Sequence, residues 1–268
     1  MISFAKYHGL GNDFILIDDR EEVVPLDQPG WICRLCDRRL GIGADGVILL
    51  QLSELARFRM RIFNADGSEP AMCGNGIRCL VHFIRQLGIP DESLAIETAS
   101  GVLSCRWENG KIAVRLGVPQ ILHRDLSLEV EGWHLTVHLV DTGVPHCILF
   151  VPDVSLAPME MLAPVLRSHP RFGPHGANVN FASLEPCGSI ALRTFERGVE
   201  GETLACGTGA AAVGWMACLL HELQETIPIS TRLTPPGASA ELLVRCSQER
   251  GVELIGPAVL VFQGNILI

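Results

Sequence analysis

The feature that most restricts how this chain can fold is an internal repeat. Gly11-Asn-Asp-Phe-Ile-Leu16 recurs as Gly143-Val-Pro-His-Cys-Ile-Leu149, and Gly43-Ala-Asp45 recurs as Gly176-Ala-Asn178. Arg61-Ile-Phe-Asn64 returns as Arg193-Thr-Phe-Glu196, and Met72-Cys-Gly-Asn-Gly76 as Ala205-Cys-Gly-Thr-Gly209. The four pairs keep their order and lie 132 or 133 positions apart, which means one supersecondary plan written twice. From Arg to Cys the first copy spans 12 positions and the second 13, so the second carries one extra residue, placed in Gly198-Val-Glu-Gly-Glu-Thr203. A chain of 268 residues is long enough for two domains of ordinary size.

Short β-branched or apolar runs bounded by Gly, Pro and Asp predict strands at Phe14–Asp18, Gly46–Leu50, Arg59–Phe63, Ala113–Leu116, Leu135–Leu139, Cys147–Val151 and Ile190–Phe195. Each Cys-Gly-x-Gly element opens an apolar run with helical spacing, Ile77–Leu87 and Ala210–Leu220. The reading is therefore two α/β (α+β) halves, each with a central helix entered from a Gly-rich turn. The boundary is expected near Gly117-Val-Pro119, and the last strand-like run, Ala258–Phe262 with Ile266–Ile268, is expected to complete the first half's sheet. That divides the chain into 1–117 plus 258–268, carrying Cys73, and 118–257, carrying Cys206.

Apolar residues make up 48% and charged ones 19%, enough to bury a core. With 21 Lys+Arg against 30 Asp+Glu, net charge −9 and no basic run, the chain lacks the footprint of a nucleic-acid binder, and a small molecule is the expected partner. The start has no signal-peptide pattern and no stretch reaches about 18 apolar residues, so a cytoplasmic location without membrane contact is expected. Most of the ten cysteines are expected to be free thiols, with Cys79 and Cys218 as small buried hydrophobes in apolar helical runs. Cys33-Arg-Leu-Cys36 has metal or redox spacing, but no second pair completes a zinc set, and Trp31–Leu40 reads as an amphipathic helix.

Cys73-Gly-Asn-Gly76 and Cys206-Gly-Thr-Gly209 each put a thiol at a helix N-terminus, where the dipole and outward N–H groups favour an anion and lower a thiol pKa. Glycine lets the backbone approach a ligand and offer its N–H groups to a carboxylate. Two such elements in duplicated halves suggest a pseudo-twofold cleft with two opposed acid/base groups, the requirement for inverting a carbon centre. Racemisation or epimerisation follows, with the carbanion stabilised by helix N-termini and desolvation, without a cofactor or metal.

These residues, together with His8-Gly-Leu-Gly-Asn-Asp-Phe14, Gly41-Ile-Gly-Ala-Asp-Gly46, Phe63-Asn-Ala-Asp-Gly-Ser68, Pro145-His146, Ala177-Asn-Val-Asn-Phe181 and Glu196-Arg-Gly198, resemble the diaminopimelate epimerases over essentially the whole chain. The resemblance implies two similar domains, each a curved, mostly antiparallel sheet around a central helix. It also implies cofactor-independent interconversion of LL- and meso-diaminopimelate on the route to lysine and peptidoglycan, and admits a homodimer. Under it Cys73 and Cys206 are the acid/base pair. Gly74, Asn75, Gly207 and Thr208 hold the reacting carboxylate, and Asn12, Asn64, Asn178 and Arg197 bind substrate. His146 and Glu196 support catalysis, holding the reacting amino group or tuning the thiols, Glu196 also touching substrate. A proline or hydroxyproline racemase is the rival within the same two-thiol design, and a non-catalytic thiol or metal-binding protein the rival outside it.

Two positions depart from that pattern. Val144 stands where the relatives carry an Asn that helps bind the distal end of the substrate, and Gly46 where some carry Gln. An aliphatic group at 144 predicts relaxed selectivity, with glutamate the first further substrate to test.

Overall fold

The central predicted strands are near-continuous apolar runs, such as Phe14–Ile17 and Val47–Leu50, so both of their faces are apolar and each is covered by a helix. The computed structural model describes residues 1–70, 72–221, 223, 225–231 and 241–266. The chain divides into two compact units, Met1–Val114 with Gly256–Ile268, and Arg115–Ile255.

The first unit contains β1 (Ile2–Gly9), β2 (Asn12–Asp18), α1 (Trp31–Cys36), β3 (Gly46–Leu52), β4 (Phe58–Asn64), α2 (Gly74–Gln86), β5 (Ser93–Thr98) and β6 (Gly101–Glu108). β7 (Lys111–Gly117) carries the chain into the second unit. There follow β8 (Gln120–Val130), β9 (Trp133–Asp141), β10 (Pro145–Phe150), α3 (Met159–Arg167), β11 (Asn178–Leu184), β12 (Ile190–Glu196), β13 (Gly201–Thr203), α4 (Gly207–His221), β14 (Thr226–Thr231), β15 (Glu241–Ser247) and β16 (Gly251–Gly256). β17 (Val259–Ile266) returns to the first unit and pairs antiparallel with β1, Ile2 opposite Ile266. Of the expected final strand, residues 267–268 lie outside the described residues.

Both units use the same pairing sequence. β1–β2 is antiparallel, β2–β3 parallel, β3–β4 antiparallel, β4–β5 parallel and β5–β6 antiparallel. β9–β10, β10–β11, β11–β12, β12–β14 and β14–β15 repeat that order. The registers coincide too. Phe14 pairs with Gly46 and Val47 with Phe63, as His146 pairs with Asn178 and Val179 with Phe195, all displaced by 132. Asn178 is therefore the counterpart of Gly46, one residue on from the match that Gly-Ala-Asp45 and Gly-Ala-Asn178 suggest. The extra residue of the second copy falls where β12 turns back into β13, with Glu200 at φ 55°.

All seven predicted strands and both long helices are present. The helix expected over Trp31–Leu40 stops at Cys36, because the Asp37 carboxylate accepts the N–H groups of Arg39 and Leu40 and turns the chain. Of the two cysteines expected to be buried, Cys79 is, whereas Cys218 is only half-buried. In the first unit Ile15, Ile17, Val47, Leu49 and Phe63 pack with α1 residues on one face. The opposite face lies against α2, where Tyr7 touches His82 and Phe83. In the second unit α3 covers the face of Cys147, Leu149, Val179, Phe181 and Phe195. α4 covers the other.

Candidate active site

In the first unit, β2 and β3 begin, and β1 and β4 end, at the same edge of the α2 face, where α2 also starts. Pairing puts Asn12 opposite Gly9 and Asn64 opposite Gly46. Cys73 is the N-cap of α2, extended at φ −142°, ψ 116°, with no side-chain cap bond across the first turn. The first-turn N–H groups of Gly74, Asn75 and Gly76 thus lie beside the thiol, at the positive end of the helix dipole. The half-buried Cys73 Sγ lies 3.7 Å from Asn12 Oδ1, which also accepts from Asn75 Nδ2 at 3.3 Å. Asn64 is exposed and donates to Ser68 Oγ at 3.0 Å, across a turn closed by Asp66.

Sequence reasoning missed the groups that hold these residues. Asn12 Nδ2 donates to Asp45 at 2.8 Å, and Asp45 and Asp13 share the Arg38 guanidinium. Lys6, buried, donates to Gly43 O and pairs with Asp13 at 2.7 Å. Burial alone would raise the Asp13 pKa, but hydrogen bonds from Arg38 and Lys6 bring it down to about 2. These charges are scattered through the sequence and share no motif. A further buried group, Arg78, sits one turn along α2 from Cys73 and donates to Gly74 O, Asn75 Oδ1 and Pro257 O, with no carboxylate partner among the described residues. Its counterpart in the second copy is Ala211. The Arg78 charge is electrostatically coupled to the Cys73 thiol.

The second unit brings His146, Asn178, Glu196 and Cys206 to the equivalent edge of its α4 face. By register the first three stand where Phe14, Gly46 and Asn64 stand in the first unit, and Cys206 precedes α4 as Cys73 precedes α2. Cys206 is 5% exposed, so it also belongs to the core, which the sequence did not suggest. Its thiol hydrogen-bonds to the Glu196 carboxylate, which Thr203 also contacts. Burial raises the Glu196 pKa, against the lowering effect of Thr203 and Cys206. Thr208 Oγ1 lies 3.5 Å from Cys206 Sγ, and Thr208 O accepts from Thr142 at 3.4 Å. Asn178 Oδ1 accepts the Arg197 N–H at 2.8 Å.

His146 is fully buried, and burial together with the nearby Arg197 charge depresses its pKa to about 3, so the ring is neutral. Beneath it, Asn180 Nδ2 donates to Cys147 O at 3.2 Å and approaches His146 Nδ1 at 3.2 Å. The glycines at the start of both helices pack closely, most tightly in α4, where Thr194 holds the amide that Gly209 faces. A Cβ on Gly209 would lie 2.5 Å from Asn180 Oδ1, and one on Gly76 would lie 2.9 Å from Ile48 Cδ1. Gly46 also has a structural cause: a Cβ there would lie 2.4 Å from Phe63 O, so β3 approaches β4 too closely for the Gln of some relatives. Val144, half-buried just before β10, is the counterpart of Asn12. Each unit thus presents a thiol at the mouth of a glycine-lined helix, with a polar side chain at the end of the neighbouring central strand.

The chain matches the family model described as diaminopimelate epimerase over residues 4–122 and 138–261. It is 40% identical over 283 residues to "Diaminopimelate epimerase" from Moorella thermoacetica, covering 98% of both chains. It is also 40% identical over 278 residues to the protein of that name from Methanothrix thermoacetophila, covering 99% of this chain and 96% of the relative. Among solved structures, a PhzF-family phenazine biosynthesis protein from Bacillus anthracis superposes at TM-score 0.78 with 20% identity, covering 100% and 99% of the two chains. A hydroxyproline epimerase from Agrobacterium vitis superposes at 0.72 with 15% identity, covering 98% and 91%. These two share the fold. The sequence matches go further, and with both half-sites present they show that the chain belongs to the diaminopimelate epimerase family.

Proposed function

We propose that this chain interconverts LL- and meso-2,6-diaminopimelate without a cofactor, using Cys73 and Cys206 as the acid/base pair, in the supply of lysine and cell-wall precursor in the cytoplasm. The observation that carries this reading is the duplicated half-site: two thiols, each immediately before the first turn of a helix that opens Gly-x-Gly. In the forward step the thiolate of one cysteine takes the α-hydrogen as a proton. The C–H bond breaks, an S–H bond forms, and the electron pair passes into the α-carboxylate. The second thiol then gives its proton to the opposite face, so a C–H bond forms and a thiolate is left. First-turn N–H groups of Gly74, Asn75, Gly207 and Thr208 would bear the charge that builds on the carboxylate. Asn12, Asn64, Asn178 and Arg197 bind the remainder of the substrate in this reading, and Glu196 and His146 tune the second half-site.

Incubation with diaminopimelate in deuterated water tests it. The enzyme should deposit deuterium at the α-carbon, and Cys73→Ala and Cys206→Ala should each abolish epimerisation. Substantial turnover by either variant would refute the two-thiol mechanism. Cys206→Ala also removes a core thiol, so its fold is checked by circular dichroism alongside.

A further inference from the structure

We infer that Asn180 is a positioning residue that holds His146 as the neutral Nε2–H tautomer, making His146 a fixed hydrogen-bond donor to an anionic oxygen of the substrate. This rests on the reading of His146 as a substrate-site residue. Nothing in the repeat motifs points to Asn180. The geometry does, in three steps.

The Cys147 carbonyl can only accept, so the Asn180 atom 3.2 Å from it is the amide NH₂. The Thr194 hydroxyl, donating to Asn180 Oδ1 at 3.0 Å, fixes the same orientation from the other end. The second hydrogen of that NH₂ group meets His146 Nδ1 at 3.2 Å, so Nδ1 must supply a lone pair. In a neutral ring the proton then resides on Nε2. All three side chains are enclosed: His146 and Asn180 are 0% exposed and Thr194 is 2%. Nε2 is buried as well, and nothing among the described residues hydrogen-bonds to it. A buried N–H without a partner costs stability, so one kept in place is reserved for a group that arrives from outside.

Packing does not explain the set. The counterparts of His146, Asn180 and Thr194 in the first unit are Phe14, Ile48 and Ile62, all apolar and all buried. The same backbone plan therefore closes without any polar group at these positions. A neutral ring whose only free function is a donor cannot receive an ammonium group, and it cannot act as a base. It can meet a carboxylate oxygen, so this tautomer directs His146 to the substrate's carboxylate and away from its reacting amino group.

The test is the tautomer itself, read by two-bond proton–nitrogen correlation on enzyme labelled with ¹⁵N-histidine, the His146 signals being assigned by their loss in His146→Phe. The expected spectrum shows an unprotonated Nδ1 and a protonated Nε2 in the free enzyme, with the Nε2 proton moving downfield when diaminopimelate is added. In Asn180→Leu the Nδ1–H form should appear and kcat/KM should fall about tenfold. In Asn180→Asp the carboxylate should draw a proton onto Nδ1. A protonated Nδ1 in the parent enzyme would overturn the inference. So would an Asn180→Leu variant with unchanged tautomer and unchanged kcat/KM, and so would an Nε2 proton that does not respond to diaminopimelate while turnover proceeds. If Asn180→Leu does not fold, the parent and Asp spectra decide. Absence of turnover by a parent enzyme that shows the Nε2–H form would refute the proposed function and leave the tautomer assignment standing.

Discussion

At the scale of single residues, His146 links burial to acid stability. Its ordinary pKa of 6.5 is depressed to about 3 by burial and Arg197. As pH falls below 6.5 the unfolded chain binds a proton that the folded chain refuses until about pH 3, so this contribution to stability is present above 6.5 and declines through that window. The slope approaches about 1.4 kcal/mol per pH unit. His146→Phe, which installs the residue found at the counterpart position 14, should flatten the acid limb by close to one proton, measured by urea unfolding across pH. Val144 bears on selectivity. An amide that binds a charged group contributes about 1.5–3 kcal/mol, roughly ten- to a hundredfold in affinity. Val144→Asn should raise the ratio of diaminopimelate to glutamate turnover, followed by chiral chromatography of both. An unchanged ratio would mean that position 144 does not set selectivity. The thiols, the glycines and the polar ends of the strands were legible because they recur in short motifs. Asn180, Thr194, Lys6 and Arg38 were not, because their roles depend on pleat and register and no local pattern carries that information.

At the scale of elements, the two central helices meet their sheets differently. α4 lies so close to β15 that a Cβ on Gly214 would be 2.6 Å from Val244 Cγ1 and 2.9 Å from its Cβ. Valine cannot swing away, because branching at Cβ restricts its rotamers. Gly214→Ala should therefore destabilise the second unit by about 1–3 kcal/mol, against the usual preference of helices for alanine. Val244→Ala, itself destabilising, should relieve the clash, so that the double variant is more stable than the sum of the two single effects allows. A thermal-unfolding double-mutant cycle measures this, and simple additivity would contradict the close approach. The run Ala210–Leu220 announces a helix in the sequence. Its glycine reads there as a weakness of that helix, and only the packed neighbour shows why alanine is excluded. The one-residue misalignment of Asn178 with Asp45 has a similar origin: the motif Gly-Ala-Asx straddles a turn, where the two copies differ, and strand pairing restores the true equivalence.

At the scale of the whole molecule, the second unit is continuous in sequence, whereas the first is assembled from both ends of the chain. β17 covers the edge of β1, and Arg78 beneath the start of α2 donates to Pro257 O in the segment that leads to it. Deleting residues 257–268 should bare the β1 edge and leave Arg78 short of an acceptor. The expected outcome is a second unit that still resists proteolysis, with a first unit that is cleaved and aggregates. Limited proteolysis followed by mass spectrometry checks it, and equal protection of both units would contradict it. The run Ala258–Phe262 reads as a strand in the sequence, but nothing in it names its partner, since the pairing Ile2 with Ile266 joins residues from opposite ends. That pairing also sets an order on biosynthesis. A ribosome makes β1 before the whole of the second unit and β17 after it, so β1 waits for its neighbour while the interposed unit emerges and can close. During translation the inserted unit can therefore close before the unit that encloses it, which is completed only when β17 is stitched onto β1.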